Sequence, residues 1–110
     1  MQDLAPLTVL ISYYPKHDTA DDLLQLIEMH WPILDLLGLV SNIPVQIWLA
    51  SDQGTGRRFY LEMFQWKDAQ AAEVANRAPE VQHLQEAMEP LLEERRITSV
   101  DLLRPAVKLA

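Results

Sequence analysis

The hydrophobic and polar positions of this chain follow two different periods, which divide it into strands and helices. Leu7 to Tyr14 is almost continuously apolar and ends at Pro15, which predicts a first strand covered on both faces. Between Leu23 and Leu37 the apolar residues recur at helical spacing, with Pro32 inside the run and Gly38 after it. This pattern predicts a helix that kinks at Pro32 and stops at Gly38.

The second half of the chain shows the same alternation of periods. Val45 to Ala50 and Arg57 to Trp66 flank a polar loop with two of the three glycines, which predicts a hairpin. A helical region follows from Asp68 to about Glu94, and Pro79 restarts it because proline is favoured in the first turn of a helix. Ile97 to Leu103 predicts the last strand.

The order of these elements is strand, helix, strand, strand, helix, strand. With right-handed crossovers it predicts an α+β protein with the ferredoxin-like βαββαβ fold, in which a four-stranded antiparallel sheet has both helices on one face. The 110 residues suit one domain with a core from about residue 7 to 104, since two domains would each have too small a core.

The strand that ends at Trp66 has two different faces. One face combines a carboxylate with aromatic side chains, namely Tyr60, Glu62, Phe64 and Trp66. An acid in an apolar layer must be paired, protonated or in contact with water, so this face predicts a pocket. The other face is apolar, with Phe59, Leu61 and Met63. No further element is left to cover it, which predicts a homodimer that pairs sheet with sheet.

Composition narrows the classes of partner. Nine basic against 16 acidic residues give a net charge of −7, which disfavours nucleic acid and anionic membranes. The absence of cysteine excludes disulfides and thiolate metal sites. The sequence shows neither a signal peptide nor an apolar run long enough for a membrane span, so we expect a cytoplasmic protein.

His30 is the histidine that the pattern places near the predicted pocket. It follows Leu23, Leu26 and Ile27 on the apolar side of the first helix, so a contact with Glu62 is expected. Such a pair suits a general base near neutral pH, but a hydrogen-bonded core histidine would satisfy the same pattern. His17 and His83 are expected to face solvent, and the spacing of the three histidines predicts no metal site.

Several aromatic residues are candidates for binding a small hydrophobic or aromatic ligand: Trp66, Tyr60, Trp48 and Trp31. Aromatic side chains on strands are most often ordinary core residues, and this alternative holds for each of them. The direction of Trp48 depends on a hairpin register that the sequence leaves open.

Two segments resemble a known family. A third strand that ends in Trp66 is followed by KDAQAAEVANRAPEV, and HWPILDLLGLV begins at His30. The chain is thereby similar to the dimeric α/β-barrel superfamily, close to the antibiotic-biosynthesis-monooxygenase-like domains. The resemblance implies a homodimer with a cavity between sheet and helices, used by some relatives to oxygenate aromatic polyketides and by others to degrade haem.

The haem-degrading relatives carry a histidine on the helix that follows the third strand, and here that position is Asn76. A neutral amide is a poor iron ligand, so the resemblance does not extend to haem, and no cofactor is expected. Two hypotheses remain. One is a cofactor-independent monooxygenase-like or isomerase-like enzyme that uses His30 and Glu62, with Asn76 among the residues that bind the substrate. The other is a non-catalytic dimer that binds a small ligand or another protein.

Overall fold

The computed structural model describes residues 6–100, which form one antiparallel sheet and a layer of helices on one of its faces. The elements are β1 (Leu7–Pro15), α1 (Ala20–Leu36), β2 (Gln46–Ser51), β3 (Arg58–Trp66), α2 (Ala71–Arg77), α3 (Pro79–Met88) and β4 (Leu92–Val100). The strand order is β2-β3-β1-β4. The predicted ferredoxin-like α+β fold is therefore confirmed.

The first helix, α1, continues through Pro32 to Leu36. Proline removes the hydrogen bond to the carbonyl four residues earlier, that of Glu28, but both residues lie on the exposed side of the helix, where water can serve that carbonyl. Gly38 follows with a positive φ of 73°, the left-handed conformation that ends many helices. The predicted stop at Gly38 is confirmed.

The second helical region ends earlier than its spacing predicts. Pro79 opens α3 as expected, after Ala78 in an extended conformation. However, α3 stops at Met88, and a single 3-10 turn, Glu89–Leu91, leads directly into β4. The prediction of a helix to about Glu94 was wrong, because the ring of Pro90 cannot continue an α-helix. The expected last strand therefore begins at Leu92, and its proposed residues 101–103 lie outside the described range.

The two faces of the sheet differ as the pattern of β3 predicts. Side chains from β1 and β3 that face the helices are buried, and they form the core with one side of α1 and of α3. The main members are Val9, Ile11, Leu23, Ile27, Leu34, Phe64, Val81, Leu84 and Met88. On the opposite face, Phe59, Leu61 and Met63 are half-buried, with no helix of the described residues above them. We call this second surface the open face.

The helices of the described range include none that combines the length and the apolarity of a membrane span.

Candidate functional site

Glu62 lies at the centre of the sheet and is fully buried, with 0% of its surface exposed. On the neighbouring strands it stands opposite Ile11 of β1 and Ile47 of β2, so its surroundings within the sheet are apolar. A carboxylate in such a position requires hydrogen-bond donors from elsewhere.

Two donors from different elements converge on this carboxylate. The hydroxyl of Tyr13, on β1, donates to Glu62 Oε1 at 2.7 Å. From α1, His30 Nδ1 lies 2.9 Å from Oε1 and 3.1 Å from Oε2 of Glu62. The predicted contact between His30 and Glu62 is therefore present. Because a carboxylate only accepts hydrogen bonds, Nδ1 carries the ring proton in this arrangement, and Nε2 is left as the basic nitrogen.

Tyr13 remains a hydroxyl donor over the physiological pH range. Burial raises the pKa of Tyr13 far above its ordinary value, and both the charge of Glu62 and the hydrogen bond to it raise it further. The positive charge of Arg95 acts in the opposite direction and is the smaller effect. Tyr13 therefore keeps its proton, donates a hydrogen bond to Glu62 and does not itself serve as a base near neutral pH.

A small cavity adjoins this cluster on the side away from β2. Its volume of about 30 Å³ has room for one or two water molecules. Tyr13 and His30 line it, together with Ile11, Leu84, Gln85, Met88, Arg95 and Ile97. Glu62 lies behind the imidazole and is not part of the wall. His30 thus both contacts Glu62 and lines the cavity.

Two further candidates, Trp66 and Tyr60, share the face of Glu62 on β3 but do not line the cavity. The ring of Phe64 lies edge-on between His30 and Trp66, with centroids 5.5 Å and 4.9 Å away. Trp66 is buried at the end of β3 and supports this row of rings. Tyr60 lines a separate cleft at the other end of the strand, and burial and the charges of Asp21 and Glu28 raise its pKa.

The remaining predicted ligand-binding residues are not brought to this cluster. Trp48 stands on the open face, opposite Leu61, and is 57% exposed. This orientation follows from the hairpin register, which the sequence left open. Asn76 is exposed on α2. Trp31 is half-buried beside the core, and its indole N–H has no acceptor among the described residues.

Sequence reasoning missed Tyr13 and Arg95 as members of the site. Both lie on strands at positions 13 and 95 that face each other in the β1–β4 pairing. Tyr13 belongs to an apolar run that shows no clear period, and Arg95 lies between the predicted end of the helical region at about Glu94 and the predicted start of the last strand at Ile97. Only the register of the sheet places them together, and that register is a long-range property.

Within residues 6–100 no group of three or more histidine, aspartate or glutamate side chains is arranged to hold a metal ion. Glu62 and His30 are already hydrogen-bonded to each other, and the hydroxyl of Tyr13 donates to the same oxygen, Oε1 of Glu62. What the arrangement can do chemically is to hold an imidazole in one orientation and stabilise its charge when it takes up a proton.

Comparison by sequence identifies no relative, since no protein-family model and no curated protein matches the chain. Comparison by structure identifies many. The chain is similar to PA3566 from Pseudomonas aeruginosa, with 20% identity, a TM-score of 0.67 and coverage of 94% of this chain and 98% of that one. These values establish a shared fold.

Two other similar structures have more descriptive names. One is a dimeric ferredoxin-like protein of unknown function from Jannaschia sp. CCS1, with 13% identity, a TM-score of 0.72 and coverage of 88% of this chain and 99% of that chain. The other is SnoaB, a cofactor-independent oxygenase from Streptomyces nogalater, with 11% identity, a TM-score of 0.69 and coverage of 94% and 98%.

Proposed function

We propose that this protein binds a small aromatic or hydrophobic molecule beside His30 and removes a weakly acidic proton from it. The observation that supports the proposal is the contact of His30 Nδ1 with both oxygens of the buried Glu62, next to a cavity that the same imidazole lines. The general base is then Nε2 of His30, and Glu62 is the group that orients it.

The chemistry of the cluster suits this step. When Nε2 accepts a proton, the resulting imidazolium lies against a carboxylate that is already in place, so the new charge needs no rearrangement of water. The hydroxyl of Tyr13 holds Oε1 of Glu62 and restricts its rotation. Phe64 packs edge-on against the imidazole and adds a second contact that restricts the ring.

A cofactor-independent oxygenation is the overall reaction that we favour. In such a reaction the substrate itself donates electrons to dioxygen, and its deprotonated form is the better donor. A well-oriented base is therefore the main group that the protein has to supply. SnoaB, which shares the fold, is a cofactor-independent oxygenase, and this description supports the proposal without extending to individual residues of this chain.

We also infer that the protein is a homodimer through the open face. On this surface Met63 lies opposite Leu10 of β1 and Leu61 lies opposite Ser12, and none of the described helices covers them. The similar protein from Jannaschia is described as dimeric. A two-fold axis through the open face would bury the apolar surface of both copies at once.

The decisive experiment uses 2-naphthol, a flat phenol whose neutral and ionised forms differ in absorbance. We expect the parent protein to bind it and to raise the ionised fraction of the bound probe at neutral pH. His30→Gln should lose this effect and weaken binding by about tenfold, because it removes the basic nitrogen. The matched control is His83→Gln, which alters an exposed histidine on α3 and should change neither quantity.

Circular dichroism of each variant shows whether it still folds. If the folded His30→Gln protein binds and ionises 2-naphthol as the parent does, the proposed base is wrong. Uptake of dioxygen by the parent with the same phenol then separates an oxygenase from a protein that only deprotonates its ligand.

A non-catalytic dimer is the second candidate, and one observation favours it. The cavity beside His30 has room for only one or two water molecules, and a buried polar network that fixes α1 on the sheet needs no larger space. In that case no probe binds beside His30, and both His30→Gln and Glu62→Gln lower the stability of the protein without loss of any binding.

A further inference from the structure

Arg95 is the positively charged residue of the cavity wall. It belongs to β4 and pairs with Tyr13 across the sheet, so its side chain is on the same face as the His30–Glu62 cluster. Burial and Glu62 raise the pKa of Tyr13, and the charge of Arg95 lowers it by a smaller amount. This effect of Arg95 agrees with a guanidinium close to the Tyr13 hydroxyl. An arginine is thus placed next to the proposed base.

The guanidinium of Arg95 is only weakly paired within residues 6–100. Its ion-pair partner is Glu89, whose Oε1 lies 3.9 Å from Nη2, beyond hydrogen-bond distance. By contrast, Arg57 and Arg77 contact carboxylates at 2.9 Å and 2.7 Å. The side chain of Arg95 is nevertheless three-quarters buried, with 25% exposed. A partly desolvated guanidinium without a close acceptor favours an anionic ligand.

The rest of the wall is mostly apolar and opens at the edge of the sheet. Leu84 and Met88 of α3 form one side, and Ile11 forms the floor. Ile97 of the edge strand β4 forms the rim, and it is 59% exposed although it faces the helix layer. The groove between α3 and β4 therefore leads from solvent across Ile97 to Arg95 and His30.

We propose that the ligand of this site is a small organic anion, a carboxylate or phenolate attached to a flat apolar body. Its acid group binds Arg95 at the inner end of the groove, and its body lies against Ile97 at the rim. A cavity of about 30 Å³ is large enough for the acid group and too small for the body, which agrees with this division. The inference rests on the proposed function, because it names the substrate class of the same site.

The test compares benzoate with benzamide, which has nearly the same shape and no charge. We expect calorimetry to show that benzoate binds the parent at least tenfold more tightly than benzamide. Arg95→Gln should remove that preference, because a bidentate charged contact becomes a neutral one. Arg96→Gln is the matched control, since Arg96 is the next residue of β4, points to the open face and pairs with Glu94.

Equal affinities of benzoate and benzamide for the parent would overturn the inference, and so would an equal loss of benzoate binding in both arginine variants. The two proposals can fail separately. If benzoate does not bind, and 2-naphthol binds in a way that depends on His30 and is unchanged in Arg95→Gln, the anion inference fails and the proposed base stands. If neither probe binds, both fail.

Discussion

The hydroxyl of Tyr13 donates a hydrogen bond of 2.7 Å to Glu62, from the neighbouring strand and inside a layer that excludes bulk water. This bond joins β1 to β3 on the helix-facing side, and it involves the same carboxylate oxygen that His30 Nδ1 contacts at 2.9 Å. The orientation of the imidazole thus depends on Tyr13, which holds Glu62 in place. Tyr13 itself is only part of the cavity wall in the proposed reaction.

Tyr13→Phe should destabilise the protein by about 1–3 kcal/mol, because it leaves one lone pair of a fully buried carboxylate without its donor. Urea unfolding followed by circular dichroism measures this loss. The control is Tyr14→Phe, which removes a hydroxyl from the open face, where the ring stacks on Phe59 and under Arg57. Equal destabilisation by the two substitutions would contradict the importance of the buried bond.

The same tyrosine predicts a loss of stability at alkaline pH. The pKa of Tyr13 is raised in the folded protein above its ordinary value of 10.0, so above pH 10 the unfolded chain releases this proton and the folded chain retains it. Tyr13 therefore stabilises the folded state fully below pH 10, and this contribution falls by about 1.4 kcal/mol per pH unit above it.

Urea midpoints of the parent and of Tyr13→Phe, measured between pH 8 and 11, check this expectation. The difference between the two proteins should shrink as the pH rises. A difference that stays constant across that range would show that Tyr13 titrates alike in both states.

Leu61→Asp should convert the inferred dimer into a monomer, because two carboxylates would meet near the two-fold axis of an apolar interface. Sedimentation velocity at micromolar concentration measures the change. Leu36→Asp serves as the control, since it puts the same charge on a strongly exposed leucine of α1, on the helix side of the molecule. A parent protein that sediments as a monomer would contradict the interface itself.

Gly38→Ala should cost about 1–2 kcal/mol, since a Cβ is unfavourable at the positive φ of 73° that turns the chain after α1. The strain would be purely conformational, because a Cβ at this position has no atom within 4 Å. Thermal unfolding measures the effect. Gly54→Ala is the comparison, as Gly54 has no such φ and its added Cβ would only approach the side chain of Asp52. A change at Gly38 no larger than at Gly54 would argue against a conformational cause.

The sequence predicts well the features that depend on local period. The alternation along β3 correctly separates Glu62 from Leu61, and the spacing of α1 correctly turns His30 toward the sheet. Their contact could be expected because a helix that crosses a sheet must bury its apolar side against the inward-facing strand residues.

Features that depend on pairing between distant strands could not be predicted in this way. Trp48 was a pocket candidate, and the β2–β3 register turns it to the open face. Arg95 lies on an edge strand whose two sides are both partly exposed, so its segment carries charges on each face and lacks the period of a half-buried strand. Met88, Leu91 and Leu92 have helical spacing, so the pattern predicted a helix where that strand begins.

The central position of β1 has a consequence for how the site is assembled. This strand pairs with β3 on one side and with β4 on the other, and β4 is the last described element to be synthesised. During synthesis, β1, α1 and β3 can bring Tyr13, His30 and Glu62 together while one edge of β1 is still open and prone to association with other chains. Because long-range pairing is slow, we expect the contacts among Tyr13, His30 and Glu62 to form first and Arg95 to join them last.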